Sequence, residues 1–274
     1  MSAPLRIPGP LLLVGAGKMG GAMLAGWLRL GLDPKLVHVV DPQPAEEVRQ
    51  ALEAHGIALN PASLPEPKIV VLAVKPQIVA SALEAVSRHV GKDTLVISIL
   101  AGITLGKLDA GLPAGTRIVR GMPNTPAAIG RGITVLTGNA EVTPEDRAVA
   151  GQLLEACGEV AWIGDEDLMD AVTAVSGSGP AYVFLLAETL ARAGVKAGLP
   201  ADLAARLARA TVSGAGELLH RSHAEPSVLR ENVTSKGGTT AAALEVLMAS
   251  DGLEWLMNKA VHAAAERSRE LGRG

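Results

Sequence analysis

The chain has 274 residues, enough for one large or two modest domains, and 48% are hydrophobic, enough for a sizeable core. A net charge of −3 and only 2% aromatic residues give no basis for a nucleic-acid partner or an anionic membrane surface. One cysteine, Cys157, excludes an intrachain disulfide and a cysteine metal cluster, and it reads as a small buried hydrophobe.

Residues 1–10 hold a single Arg and three prolines, which does not read as a secretory signal. No uncharged stretch reaches spanning length without heavy glycine interruption. The expectation is a soluble, cytoplasmic protein with no membrane contact.

Leu11–Val14 is a short apolar run that reads as a buried strand. Gly15-Ala16-Gly17-Lys18-Met19-Gly20 follows at once and opens a small-residue helix. In that context G-x-G-x-x-G reads as a dinucleotide turn. Gly15 makes the turn, Gly17 admits the pyrophosphate, and Gly20 lets helix and strand pack closely. Val37–Val40 is the next strand, ending at Asp41, 21 residues after Gly20. A carboxylate at that distance suits a ribose 2′-hydroxyl. Residues 68–74, 94–100, 117–120 and 132–137 read as further strands, with 159–164 as a last one. Helices are expected at 77–89 and at 144–156, the latter capped by Thr143.

This alternation implies a mainly parallel sheet with helices on both faces. Lys75-Pro76, Ala101-Gly102 and Met122-Pro123-Asn124 all follow strands, so they should line one crevice with the glycine turn. From about Asp167 the strand signals stop. Helices are expected at 167–175, 180–194, 201–220, Pro226–Asn232, 239–250 and 253–271. The expected fold is α/β: an N-terminal Rossmann domain, residues 1–166, followed by an all-α domain, residues 167–274. Residues 180–190 are apolar nearly all round apart from Glu188 and Thr189. A small domain cannot bury such a helix alone, so a homodimer through the helical half is expected.

Asn232-Val233-Thr234-Ser235-Lys236-Gly237-Gly238-Thr239-Thr240 runs into an Ala/Leu helix. Two glycines allow a sharp turn and a close ligand. The N–H groups of the helix start suit a small carboxylate or a phosphate. The alternative is an ordinary Thr-capped helix start. The six histidines read as structural or surface residues, and no metal site is expected.

These residues resemble one family, pyrroline-5-carboxylate reductase. The likeness rests on residues 15–20, Ala73-Val74-Lys75-Pro76, residues 122–126, Val175-Ser176-Gly177-Ser178-Gly179-Pro180-Ala181-Tyr182 and residues 232–240. The last two are the most specific. The resemblance implies reduction of Δ1-pyrroline-5-carboxylate to L-proline with NADPH or NADH, the last step of proline synthesis. It also implies a helical dimerisation domain, with dimers often assembled into a decamer. It implies that Gly15, Ala16, Gly17, Lys18, Met19 and Gly20 hold the pyrophosphate and that Asp41 meets the adenosine ribose. Asn60 would flank the adenine. Ala73, Lys75 and Pro76 would contact the cofactor's middle, and Ala101 and Gly102 would approach the nicotinamide. Asn232 would reach the cofactor from the helical domain. Ser235, Gly237, Gly238, Thr239 and Thr240 would grip the substrate carboxylate, with the catalytic Thr240 hydroxyl near the ring nitrogen. Glu166 would touch the substrate, or serve as a helix-start carboxylate.

Two departures stand out. Lys236 occupies a position where many members have proline. Asp41 is a carboxylate where NADPH-preferring members often carry a small hydroxyl or basic residue. A carboxylate there repels a 2′-phosphate, so NADH is expected to serve at least as well as NADPH. Two rivals are another reductase with a helical second domain and a dinucleotide sensor without chemistry. The first typically has a catalytic Lys or Asp on the long interdomain helix, where this chain offers Glu188 and Arg192. The second has no need for the loop at 235–240.

Overall fold

The structure, a computed structural model, describes residues 4–75 and 78–273. Pro76 lies outside the described residues. The Cα trace divides into two compact units: residues up to Gly177 with Ala265–Gly274, and Ser178–Ala264.

The first unit is built on a seven-stranded sheet: β1 (Leu11–Val14), β2 (Val37–Val40), β3 (Ile69–Leu72), β4 (Leu95–Ser98), β5 (Arg117–Met122), β6 (Gly132–Gly138) and β7 (Gly158–Trp162). The order is β2-β1-β3-β4-β5-β6-β7, with only β5 and β6 antiparallel. Every residue of β1, β3 and β4 is buried, as expected of parallel strands covered on both faces. Side chains alternate between the faces. Leu11, Leu13, Val37, Val39, Ile69, Val71 and Ile97 join one core cluster. Leu12, Val14, Val70, Leu72, Val96 and Ile118 join the other.

The first face is covered by α1 (Lys18–Arg29), α2 (Glu46–Ala54) and α5 (Pro144–Glu155), which contribute Met23, Leu24, Trp27, Leu52, Leu153 and Leu154. Trp27 is wholly buried, and its Nε1 donates to the Leu153 carbonyl at 2.8 Å. The second face is covered by α3 (Val79–Ser87) and α4 (Leu105–Gly111), through Val79, Leu83, Val86 and Leu108. The expected Thr143 cap is present as a full capping box with Asp146. Asp146 also receives Arg117 Nη1 at 3.0 Å.

Helices α2 and α4 have no counterpart in the sequence-based expectation. Leu52 is the sole buried residue of α2, and Leu108 that of α4, so neither presents a wide apolar stripe. The single helix expected at 167–175 is instead a 3₁₀ turn (Glu166–Leu168), one α-turn, α6 (Met169–Val172), and a π-turn (Thr173–Gly177). Hydroxyls there compete for the helical carbonyls: Thr173 donates to Met169 O and Ser176 to Val172 O.

The second unit holds α7 (Gly179–Lys196), α8 (Ala201–Arg221), α9 (Pro226–Asn232), α10 (Thr239–Leu247) and the greater part of α11 (Leu253–Arg273). Its only buried residues are Ala204 and Ala208. Val183, Phe184, Leu185 and Leu186 are consecutive and all exposed, Phe184 by 67%. Among the described residues no helix is long and apolar enough to cross a membrane.

Candidate active site

Strands β1 to β5 run parallel, so their carboxyl ends share one edge of the sheet. The turn after β1 carries the glycine motif. Gly15 has φ +93°, and a Cβ there would lie 2.6 Å from the Ala73 carbonyl oxygen. A Cβ on Gly20 would lie 2.1 Å from the Gly15 carbonyl oxygen, so both glycines are needed by the backbone itself. Gly17 differs, since a Cβ there would meet nothing within 4 Å. Its open side is where a ligand can approach. Gly17 is also the N-cap of α1 and makes no side-chain cap, so the first-turn N–H groups face outward at the positive helix end.

Asp41 follows β2 and reaches back to this turn. Its Oδ2 accepts from the Ala16 N–H at 2.5 Å and its Oδ1 from the Gln43 N–H at 2.7 Å. Asn60 adjoins it, with its amide paired to the Asp41 backbone. Ala73 leaves β3 with its N–H on the Val14 carbonyl, and Lys75 is exposed just beyond. The structure thus gathers the glycine turn, Asp41, Asn60, Ala73 and Lys75 at one end of the sheet.

Ala101 and Gly102 turn away from β4, with Gly102 at φ +76°. Thr104 then caps α4. Gly102, Thr104, Arg120, Glu166, Asp170 and Arg269 line a cleft of about 440 Å³ within the first unit. Glu166 does two jobs with one oxygen. Its Oε1 accepts from Arg120 Nη1 at 2.6 Å and from the Leu105 N–H, at the start of α4, at 2.8 Å. It is therefore a helix-start carboxylate for α4, which lies far from it in sequence. The Arg120 side chain is only 7% exposed. Sequence reasoning missed Arg120, although an Arg within an apolar strand signals a paired, buried charge. It also missed Asp170, whose Oδ1 receives the Ser268 hydroxyl at 2.5 Å.

The loop at 232–240 belongs to the second unit. Asn232 ends α9. Gly238 N–H donates to Ser235 O at 3.0 Å, and Gly237 between them has φ +70°, which makes a tight turn. The N-cap of α10 is Gly238 and has no side-chain cap. Thr239 and Thr240 are thus the first two helical residues rather than caps, and the α10 N-terminus is open. The alternative of a Thr-capped helix start does not hold, because the N-cap is Gly238 and the helix start is left open.

Cys157 is buried, and that burial pushes its thiol up to about 11, with the Arg29 charge opposing. Among the described residues no group of three His, Cys, Asp or Glu could hold a metal ion.

Residues 166–271 match the family described as pyrroline-5-carboxylate reductase dimerisation. Residues 11–102 match that of NADP oxidoreductases, coenzyme F420-dependent. The chain is 39% identical over 260 residues to the pyrroline-5-carboxylate reductase of Pseudomonas aeruginosa, covering 94% of this chain and 95% of that one. The chain belongs to the pyrroline-5-carboxylate reductase family. Solved structures agree. The reductase of Coxiella burnetii superposes with a TM-score of 0.87 at 33% identity, over 97% of this chain and 99% of that one. The pyrroline carboxylate reductase of Plasmodium falciparum, solved with NADP bound, gives 0.79 at 31% identity over 97% and 98%.

Proposed function

We propose that the chain reduces the C=N bond of Δ1-pyrroline-5-carboxylate to L-proline, the last step of proline biosynthesis, with NADPH or NADH. The observation that carries this reading is the uncapped N-terminus of α10 directly after Ser235-Lys236-Gly237-Gly238, in a chain of this family. We read residues 1–166 as the dinucleotide domain and 167–274 as the dimerisation and substrate domain, in a cytoplasmic enzyme.

The residues present fit a dinucleotide, because the turn at Gly15 and Gly20 has no room for a Cβ while Gly17 opens outward. In this reading Gly15, Ala16, Gly17, Lys18, Met19 and Gly20 hold the pyrophosphate. Asp41 and Asn60 serve the adenosine end. Ala73, Lys75 and Pro76 serve the middle, and Ala101 and Gly102 the nicotinamide side; Asn232 serves the cofactor from the helical domain. When bound, the reduced nicotinamide supplies the hydride.

The chain's own task is to hold the acceptor carbon against that hydride and manage one proton. Ser235, Gly237, Gly238 and Thr239 hold the substrate carboxylate at the α10 N-terminus. The Thr240 hydroxyl, one position further on, bonds the ring nitrogen and keeps its proton in place, which makes the adjacent carbon electrophilic. Glu166 orders the β4–α4 turn beside the substrate region. Asp41 favours NADH, because its carboxylate lies where a 2′-phosphate would bring further negative charge. The exposed apolar faces of α7 and α8 close against a second copy, and dimers assemble further into a decamer.

The test is loss of reduced-cofactor absorbance on adding Δ1-pyrroline-5-carboxylate, with NADH and NADPH in separate runs. Rapid oxidation with proline as product is expected, at least as fast with NADH. A folded protein that binds NADH and does not turn it over would leave a sensor as the reading. Thr240→Ala should lower kcat/KM at unchanged melting temperature.

A further inference from the structure

The resemblance places Asn60 beside the adenine, and the structure gives it an unusual backbone and three directed bonds. Asn60 has φ +49°, the only positive φ at a non-glycine residue among those described. That conformation disfavours most side chains, and Asn tolerates it better than most. Its backbone N–H donates to the Val39 carbonyl at 2.8 Å and, with the Val39 N–H on the Ala58 carbonyl, makes the short parallel bridge between Val39 and Leu59. Its side-chain amide then continues the pairing. Asn60 Oδ1 accepts from the Asp41 N–H at 2.9 Å, and Asn60 Nδ2 donates to the Asp41 carbonyl at 2.8 Å. The amide thus imitates a strand partner for the one residue beyond the end of β2.

The consequence falls on the Asp41 carboxylate. Its Oδ2 is taken by the Ala16 N–H and its Oδ1 by the Gln43 N–H. A carboxylate oxygen accepts two hydrogen bonds. One acceptor position therefore remains on each oxygen, which matches the two hydroxyls of an unphosphorylated ribose. That match holds only while the Asp41 backbone is fixed, and the Asn60 amide clamps both of its polar groups.

We infer that Asn60 is a positioning residue for cofactor choice: it acts through Asp41 to favour the ribose diol over a 2′-phosphate, and it does not act by touching the adenine alone. The inference rests on the reading of Asp41 given above. Asn60→Gly is the variant of choice, since glycine accepts φ +49° without strain and removes only the amide. The readouts are KM and kcat with each cofactor, direct NADH and NADPH binding by fluorescence, and hydrogen exchange at the Asp41 amide.

Asn60→Gly should raise KM and Kd for NADH about fivefold, the worth of one ordinary hydrogen bond. NADPH should weaken less than NADH, and the Asp41 amide should exchange faster. In an Asp41→Ser background the same change should leave the cofactor ratio where Asp41→Ser alone puts it. Equal weakening of both cofactors, no change in either, or a ratio shift that persists without the carboxylate would each overturn the inference. If Asp41→Ser shifts the ratio and Asn60→Gly does not, the positioning role fails and the reading of Asp41 stands. If Asp41→Ser leaves the ratio unmoved, both fall.

Discussion

Replacing Glu166 separates a carboxylate that orders the fold from one that works only on substrate. Glu166 Oε1 takes hydrogen bonds from Arg120 at 2.6 Å and from the Leu105 N–H at 2.8 Å. The side chains are 27% and 7% exposed respectively, so Arg120 is the partner that cannot turn to water. Removing one member of a buried ion pair costs roughly 3–5 kcal/mol. Partial exposure of Glu166 brings water near the vacated position and moves the expectation to the lower end. The orphaned Leu105 N–H adds about 1 kcal/mol. Glu166→Ala is therefore expected to destabilise by roughly 3–4 kcal/mol. Glu166→Gln retains an acceptor for both donors and should lose about half of that. Urea unfolding at fixed protein concentration measures both, since any dimer equilibrium enters the midpoint. A second substitution sharpens the result. Arg120→Leu in the Glu166→Ala background removes the stranded charge and should recover part of the loss. The reasoning fails if Glu166→Ala lies within about 0.5 kcal/mol of the parent while KM for the imine rises sharply. That outcome would give the carboxylate to the substrate alone.

Other expectations are as direct. Gly17→Ala should keep the parent's melting temperature and weaken NADH binding, because its Cβ enters space otherwise open to ligand; Gly20→Ala, with its Cβ 2.1 Å from a carbonyl oxygen, should lose roughly 1–3 kcal/mol of stability as well. A fall in stability for both, or in neither, would contradict the packing of the turn. Phe184→Glu places a charge on a side chain that is 67% exposed in the single chain. If α7 closes a dimer, light scattering should show monomer or aggregate, and an unchanged dimer would move the interface elsewhere. Burial holds the Cys157 thiol protonated to about pH 11 against an ordinary value of 9.0. Its contribution to stability is whole below pH 9 and lost as pH rises through 11, because the unfolded chain releases the proton first. A thiol reagent at pH 8 should label it quickly in denaturant and slowly in the native protein; rapid native labelling would contradict its burial.

Much of the first unit was legible because its signals are local. Leu11–Val14 is apolar at every position, so it reads as a strand buried on both faces, and the glycine turn can follow only such a strand. Thr143 and Asp146 stand three residues apart before an apolar stretch, and that spacing is the capping box itself. What was not legible depends on distant partners. Nothing near Glu166 in sequence says that its oxygen meets Leu105, 61 positions earlier, or Arg120, 46 positions earlier. Asn60 is another such case. Its bonds to Asp41 cross 19 residues of loop and helix, and no periodicity encodes them. Short helices such as α4 were missed for a different reason. Seven residues with two glycines and one buried leucine leave no stripe to detect. The π-turn at Thr173–Gly177 is set by hydroxyls competing for backbone carbonyls, a contest that propensity alone does not decide.

Two of these long-range contacts share a design. Asp41 accepts the Ala16 N–H in the turn after β1, and Glu166 accepts the Leu105 N–H at the start of α4 beyond β4. In each case a carboxylate from elsewhere in the chain binds a main-chain donor in a loop at the carboxyl end of the sheet. The turns are thereby ordered without a ligand, and binding need not supply that ordering entropy. The charge is handled differently at the two positions: Glu166 is balanced by Arg120, while the Asp41 carboxylate is held by the main-chain N–H groups of Ala16 and Gln43. The second unit is organised on the opposite principle. Its buried residues are two alanines, and its loop at 235–240 is ordered by its own glycine turn rather than by a distant side chain. A unit with so little core cannot hold a reactive geometry through its own packing. Its rigidity has to come from whatever covers Val183–Leu186, whereas the turns of the first unit are ordered by the sheet and its own carboxylates.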